Sequence, residues 1–217
     1  MLVRKLAPCL LVTTAGLFAA ATVSAQSMVG TDHDFSTAGW NGTGETCIVC
    51  HTPHNGDAAV AANAPLWNHQ LNAAATYTMY QRPLDGAVGA SPNALSRLCL
   101  SCHDGTIAVD NFGGVTTGTT FVTGNANVGQ DLSNDHPISV EYSVNSAQSD
   151  GGLFNPNTTL VDLASGDSSQ TINVGLMDGQ NIVECSTCHD VHAEGTTGAL
   201  LKVNNAGSGL CRTCHTK

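Results

Sequence analysis

No sustained hydrophobic period runs through most of this 217-residue chain. Leu6 to Val23 is apolar and free of charge, with Arg4 and Lys5 ahead of it and Val23-Ser24-Ala25 behind. That order reads as an export leader cut before Gln26, which removes Cys9 with it. Gln26 to Glu45 has no apolar period and reads as an extended arm. Only one helix is clearly signalled. Ser91 suits an N-cap, Pro92 suits the first helical position, and Leu95, Leu98, Cys99 and Cys102 share a face. Gly105 is the expected stop. Around Cys47–His51 helical structure should be short, because Pro53 cannot sit in a helix interior. Ala58 to Asn63 is small and flexible, and Pro65-Leu66-Trp67-Asn68-His69 is denser. Residues 106–184 are rich in Gly, Thr, Ser, Asn and Val. There, Val115 to Thr123 and Ile172 to Val174 have strand-type composition. The expectation is a mostly irregular fold with short helices and a few short strands.

Composition sharpens the problem. Aromatics make up 5% of the chain and glycine occurs 23 times. So few large apolar side chains offer little surface to offset the entropy of ordering a chain this long. The net charge is −10, and removal of Arg4 and Lys5 with the leader takes it to −12. This argues against nucleic acid, which needs a basic footprint. It favours solubility and steering toward cationic partners.

The chemistry lies in the cysteines. Cys47-Ile-Val-Cys50-His51, Cys99-Leu-Ser-Cys102-His103, Cys185-Ser-Thr-Cys188-His189 and Cys211-Arg-Thr-Cys214-His215 are four copies of Cys-x-x-Cys-His. This is the attachment signature of c-type haem: two thiols add to the porphyrin vinyl groups and the adjacent imidazole takes the iron. On a helical turn, residues at i, i+3 and i+4 share a face, so all three groups can meet one flat macrocycle. The motifs come as two pairs. The first of each pair carries a further histidine three residues on (His54, His192), and the second is preceded by leucine (Leu98, Leu210). Paired Cys-x-x-Cys knuckles can also make zinc sites, and eight cysteines can make disulfides. Neither explains a histidine after every second cysteine when the chain has only 9.

Four covalently bound haems c therefore form the expected core. Residues 26–217 form one domain: a first haem pair in 26–110, a wrapping insert in 111–184 and a second pair in 185–217. Without haem this chain should be unfolded. His51, His103, His189 and His215 are the proximal iron ligands. His33, His54, His69, His136 and His192 remain for four distal positions, one more than needed. The only methionines after the leader, Met28, Met79 and Met177, are far from any motif. Bis-histidine ligation and low potentials are the economical expectation. A helical i, i+3 pair sends two imidazoles one way. So His192 is expected on the haem of Cys211 and Cys214, and His54 by analogy on that of Cys99 and Cys102. Alternatively, His54 or His33 serves a haem of a neighbouring molecule.

Cys47–His54, Pro65–His69, Cys99–Gly105, Ser133–Ile138 and Cys185–His192 resemble the multihaem cytochromes with doubled CXXCH motifs. More narrowly, they resemble the OmcE-type tetrahaem cytochromes of metal-respiring bacteria. The resemblance implies a mostly loop fold, stacked bis-histidine haems, and polymerisation into extracellular filaments that conduct electrons. Some members complete a haem site with a histidine from the next subunit. Its partners would be other redox proteins, extracellular electron acceptors and further copies of the chain, with no membrane span once the leader is gone. A soluble periplasmic shuttle is the alternative within electron transfer. A haem reductase would need an open iron, and the surplus of histidines argues against it. A haem store is at odds with covalent attachment.

Overall fold

The computed structural model describes residues 28–56, 66–192 and 198–217. The expected leader, the Ala58 to Asn63 stretch and Pro65 lie outside the described residues. The described chain is mostly loop and turn. Its α-helices are α1 (Ala94–His103), α2 (Val144–Asp150), α3 (Ile172–Gly175), α4 (Cys185–Cys188) and α5 (Gly209–Cys214). Two strands, β1 (Val140–Glu141) and β2 (Ile182–Val183), pair antiparallel with Val140 opposite Val183.

The arm is not extended. From Met28 to Gly44 it winds through successive turns, with Thr31, Asp34, Ala38, Asn41 and Gly44 each donating to the carbonyl three residues back. Side chains close these turns. Asp34 accepts from the Gly30 and Ser36 amides, and Asn41 donates to the Phe35 and Glu45 carbonyls. Short polar side chains that bond nearby backbone favour this conformation over an extended one.

The strand-type stretches also resolve differently. No strand forms over residues 115–123, and Ile172 to Val174 opens α3 instead. Thr171 caps it, its hydroxyl accepting from the Val174 amide at 3.5 Å. A local cap of this kind outweighs weak strand propensity in a four-residue piece. The helix α1 starts two residues later than the Ser91-Pro92 signal, with Asn93 as its N-cap and Pro92 buried ahead of it. It ends as expected, with Gly105 at φ +72° behind Asp104.

Two small apolar clusters hold these pieces. Tyr142, Ala147, Val161, Ile172, Leu176, Met177 and Val203 bring α2 and α3 together, with Leu210 and Cys214 of α5 packed on them. Met79, Leu100 and Leu132 form the second, behind α1. α1 presents Ser96 and Leu100 to the protein, while Leu95 on its cysteine-bearing side stays 38% exposed. Of the face expected to be shared by Leu95, Leu98, Cys99 and Cys102, Leu98 is buried while Leu95 is not.

Candidate haem-binding sites

Each attachment motif sits on a single hydrogen-bonded turn. The His51 amide donates to the Cys47 carbonyl at 2.8 Å, His189 to Cys185 at 3.1 Å, and His215 to Cys211 at 3.0 Å. The second motif closes α1. An i to i+4 bond brings both thiols and the following imidazole to one side, as attachment to a planar macrocycle requires.

The cysteines follow one another through the fold in chain order. Cys50 lies within electrostatic reach of Cys99 and Cys102, and Cys188 within reach of Cys211 and Cys214. Between these groups, the Cys185 thiol beside Cys99, together with burial, raises the Cys99 thiol well above its ordinary value, and Cys99 in turn lowers that of Cys185. Burial pushes Cys50 and Cys214 up to about 11 and Cys102 to about 12.

Every histidine of the chain lies within the described residues. Three non-motif histidines face a motif histidine. His33 and His103 have ring centroids 5.9 Å apart, His51 and His192 6.2 Å, and His136 and His215 6.4 Å. Two metal–imidazole bonds of about 2 Å each, end to end, set the ring centroids of an axial pair roughly 6 Å apart. The interplanar angles of 44°, 17° and 78° do not bear on this fit, because each ring can turn about the axis.

The hydrogen bonds suit the same chemistry. His103 Nδ1 lies 2.7 Å from the Ala126 carbonyl, His189 Nδ1 2.9 Å from that of Ala199, and His136 Nδ1 3.1 Å from that of Pro137. A carbonyl only accepts, so Nδ1 carries the proton and Nε2 presents its lone pair. His33 Nδ1 is buried without a hydrogen-bond partner. Burial first, and His103 second, lower its affinity for a proton. A neutral imidazole with an unused lone pair is what an iron ligand requires. These residues fit haem.

The placement differs from the repeat-based expectation. His192 stands against His51 of the first motif, not His215, and His215 faces His136. His54 faces neither motif of its pair: it is exposed, with Asn55 Nδ2 2.9 Å from its Nδ1. His69 is 2% exposed; its Nε2 bonds the Ala108 carbonyl at 3.0 Å and lies 3.5 Å from Cys102 Sγ. Among the described residues no histidine ring is set against His189 in the manner of the three pairs. Sequence reading missed Trp67, whose ring stands edge-on to His51 at 6.1 Å, and Glu184, described below.

Residues 179–217, which carry the third and fourth motifs, match a family model described as a doubled CXXCH motif. A comparison with curated proteins finds no match. Cytochromes with such motifs are generally exported, and no helix among the described residues is long and apolar enough to cross a membrane. The paired motif supports a multihaem c-type cytochrome that holds haem covalently and transfers electrons.

Proposed function

We propose that the chain is a tetrahaem electron carrier, exported and assembled with copies of itself into an extracellular conducting filament. Four haems c are held at Cys47/Cys50, Cys99/Cys102, Cys185/Cys188 and Cys211/Cys214. The bound haem supplies reversible one-electron chemistry at iron. His51 with His192, His103 with His33, and His215 with His136 close three irons and bar them from exogenous ligands. His189 takes the fourth, with His69 of this chain or His54 of a neighbouring copy opposite. The observation that carries this reading is the set of three histidine pairs, drawn from distant parts of the chain to 5.9–6.4 Å. Such spacing is expensive to arrange by chance and serves coordinatively closed iron.

The consecutive approach of the cysteines supports a relay in motif order. Resemblance to the OmcE-type cytochromes and the outward position of His54 support assembly with further copies. Electron acceptors or other redox proteins are then the partners at the filament ends.

Three measurements test this. A pyridine haemochrome assay of the purified mature protein should return four haems per chain, and a count well below four overturns the proposal. Negative-stain microscopy of sheared cell-surface material should show filaments containing this chain. Its recovery as a monomer in the periplasm alone would assign it to shuttling. Strong carbon monoxide binding by the assembled, reduced protein would point to a reductase instead.

A further inference from the structure

Glu184 directly precedes the third attachment motif and is only 7% exposed. Its carboxylate accepts from the Ser96 hydroxyl of α1 and from the Ser139 hydroxyl at 3.4 Å. It also caps α4 in a reciprocal box with Thr187, whose hydroxyl accepts from the Glu184 amide at 2.8 Å. Ser96 has no exposed surface, and its oxygen accepts from the Cys185 amide at 3.2 Å. Ser139 accepts in turn from the amide of Asn93, the N-cap of α1, at 2.8 Å. One carboxylate thus gathers the start of α1, the loop ahead of β1 and the whole of α4.

Among the described residues its hydrogen-bond partners are hydroxyls and amides, with no cation among them. Burying a carboxylate this way costs stability that apolar side chains of similar volume would not. Such a group is expected where geometry matters more than stability. The geometry here is specific. The clamp joins the helix of the second motif to the turn of the third, where Ser96 of α1 accepts from the Cys185 amide at 3.2 Å. That contact is the junction between the two motif pairs.

We propose that Glu184 is a positioning residue for electron transfer. Through Ser96 and Ser139 it fixes the third attachment motif against the second and sets the electron step from the first haem pair to the second. The proposal rests on the tetrahaem reading above. Electron tunnelling decays exponentially with separation, so a shift at this junction slows the whole relay. Loosening a supporting shell by even about 1 Å is enough to degrade such a site.

The test uses the mature holoprotein with Glu184→Ala, Glu184→Gln and Ser96→Ala. Haem count and low-spin absorbance verify loading. The readout is the bisignate circular dichroism couplet in the Soret region, which depends on how neighbouring haems are mutually oriented. With four haems retained, Glu184→Ala and Ser96→Ala should each lower the couplet about twofold or more. Glu184→Gln, which keeps an oxygen acceptor for Ser96, should restore most of it. An unchanged couplet in the alanine variants overturns the proposal, as does a glutamine variant as impaired as the alanine one. Should Glu184→Ala lose haem, Ser96→Ala decides alone. Fewer than four haems in the unsubstituted protein would instead overturn the reading on which the proposal rests.

Discussion

At the scale of single residues, the histidines divide by what they face. His136 faces a motif histidine, while His54 faces solvent. On the proposed assignment, His136→Ala in the holoprotein should convert one haem to a high-spin form that binds carbon monoxide. His54→Ala should leave the absorbance of the monomer unchanged, and carbon monoxide titration of both variants checks the contrast. Asp34 acts one step away, on the turn that presents His33. Hydrogen bonds from the Ser36 hydroxyl first, then from the Gly30 and Ser36 amides, hold its carboxyl below its ordinary 3.8. A depressed pKa means stability present above the ordinary value and lost as pH falls through the depressed one. Asp34→Asn should thus lower the thermal midpoint at neutral pH, and the gap from the parent should close below pH 3.8. That each Cys-x-x-Cys-His motif closes into a single turn was legible because its spacing is local. The partners were not. The offset of His192 from His189 suggested a neighbour in the same pair, but His51 and His192 meet only through the tertiary fold.

At the scale of elements, α1 shows what a sequence reveals and what it conceals. The stop at Gly105 was legible because positive φ there nearly demands glycine; an added Cβ would also press into the Asn127 side chain. The start was two residues off, because Asn93 gains its amide partner from Ser139, far along the chain. The inner face was concealed for the same reason. Leu100, 1% exposed, packs against Met79 and Leu132 from separate loops. Leu100→Ala should cost about 2–5 kcal/mol and lower the thermal midpoint of the holoprotein. Leu95→Ala, at a side chain 38% exposed to the solvent beside the motif cysteines, should cost a comparable amount in the loaded protein where haem covers that side. Comparing the two variants by differential scanning calorimetry of the loaded protein tests which face carries the haem. Strand-type stretches failed as signals because two-residue strands depend on partners, here Val140 with Val183, more than on composition.

At the scale of the molecule, the balance of core against chain length decides stability. Among the described residues the larger apolar cluster contains seven buried side chains and the smaller three. Among the described residues the longest α-helix has ten residues and the other α-helices between four and seven. Helices below about 12 residues do not persist in water without tertiary support. Ordering each residue costs roughly 1–2 kcal/mol of backbone entropy alone, a demand that clusters this small do not meet across the chain. The motif turns are spread along the chain rather than gathered at one end, so each attached haem would anchor a different segment. Folding and haem attachment should then be one event, as in small metal-dependent domains. A mature chain with all eight motif cysteines changed to alanine should give a far-ultraviolet circular dichroism spectrum without the helical signal of the loaded protein. It should also melt without a cooperative transition. A native-like spectrum with a sharp melt would mean that the two apolar clusters and the turn network suffice on their own, and that haem decorates a fold it does not build.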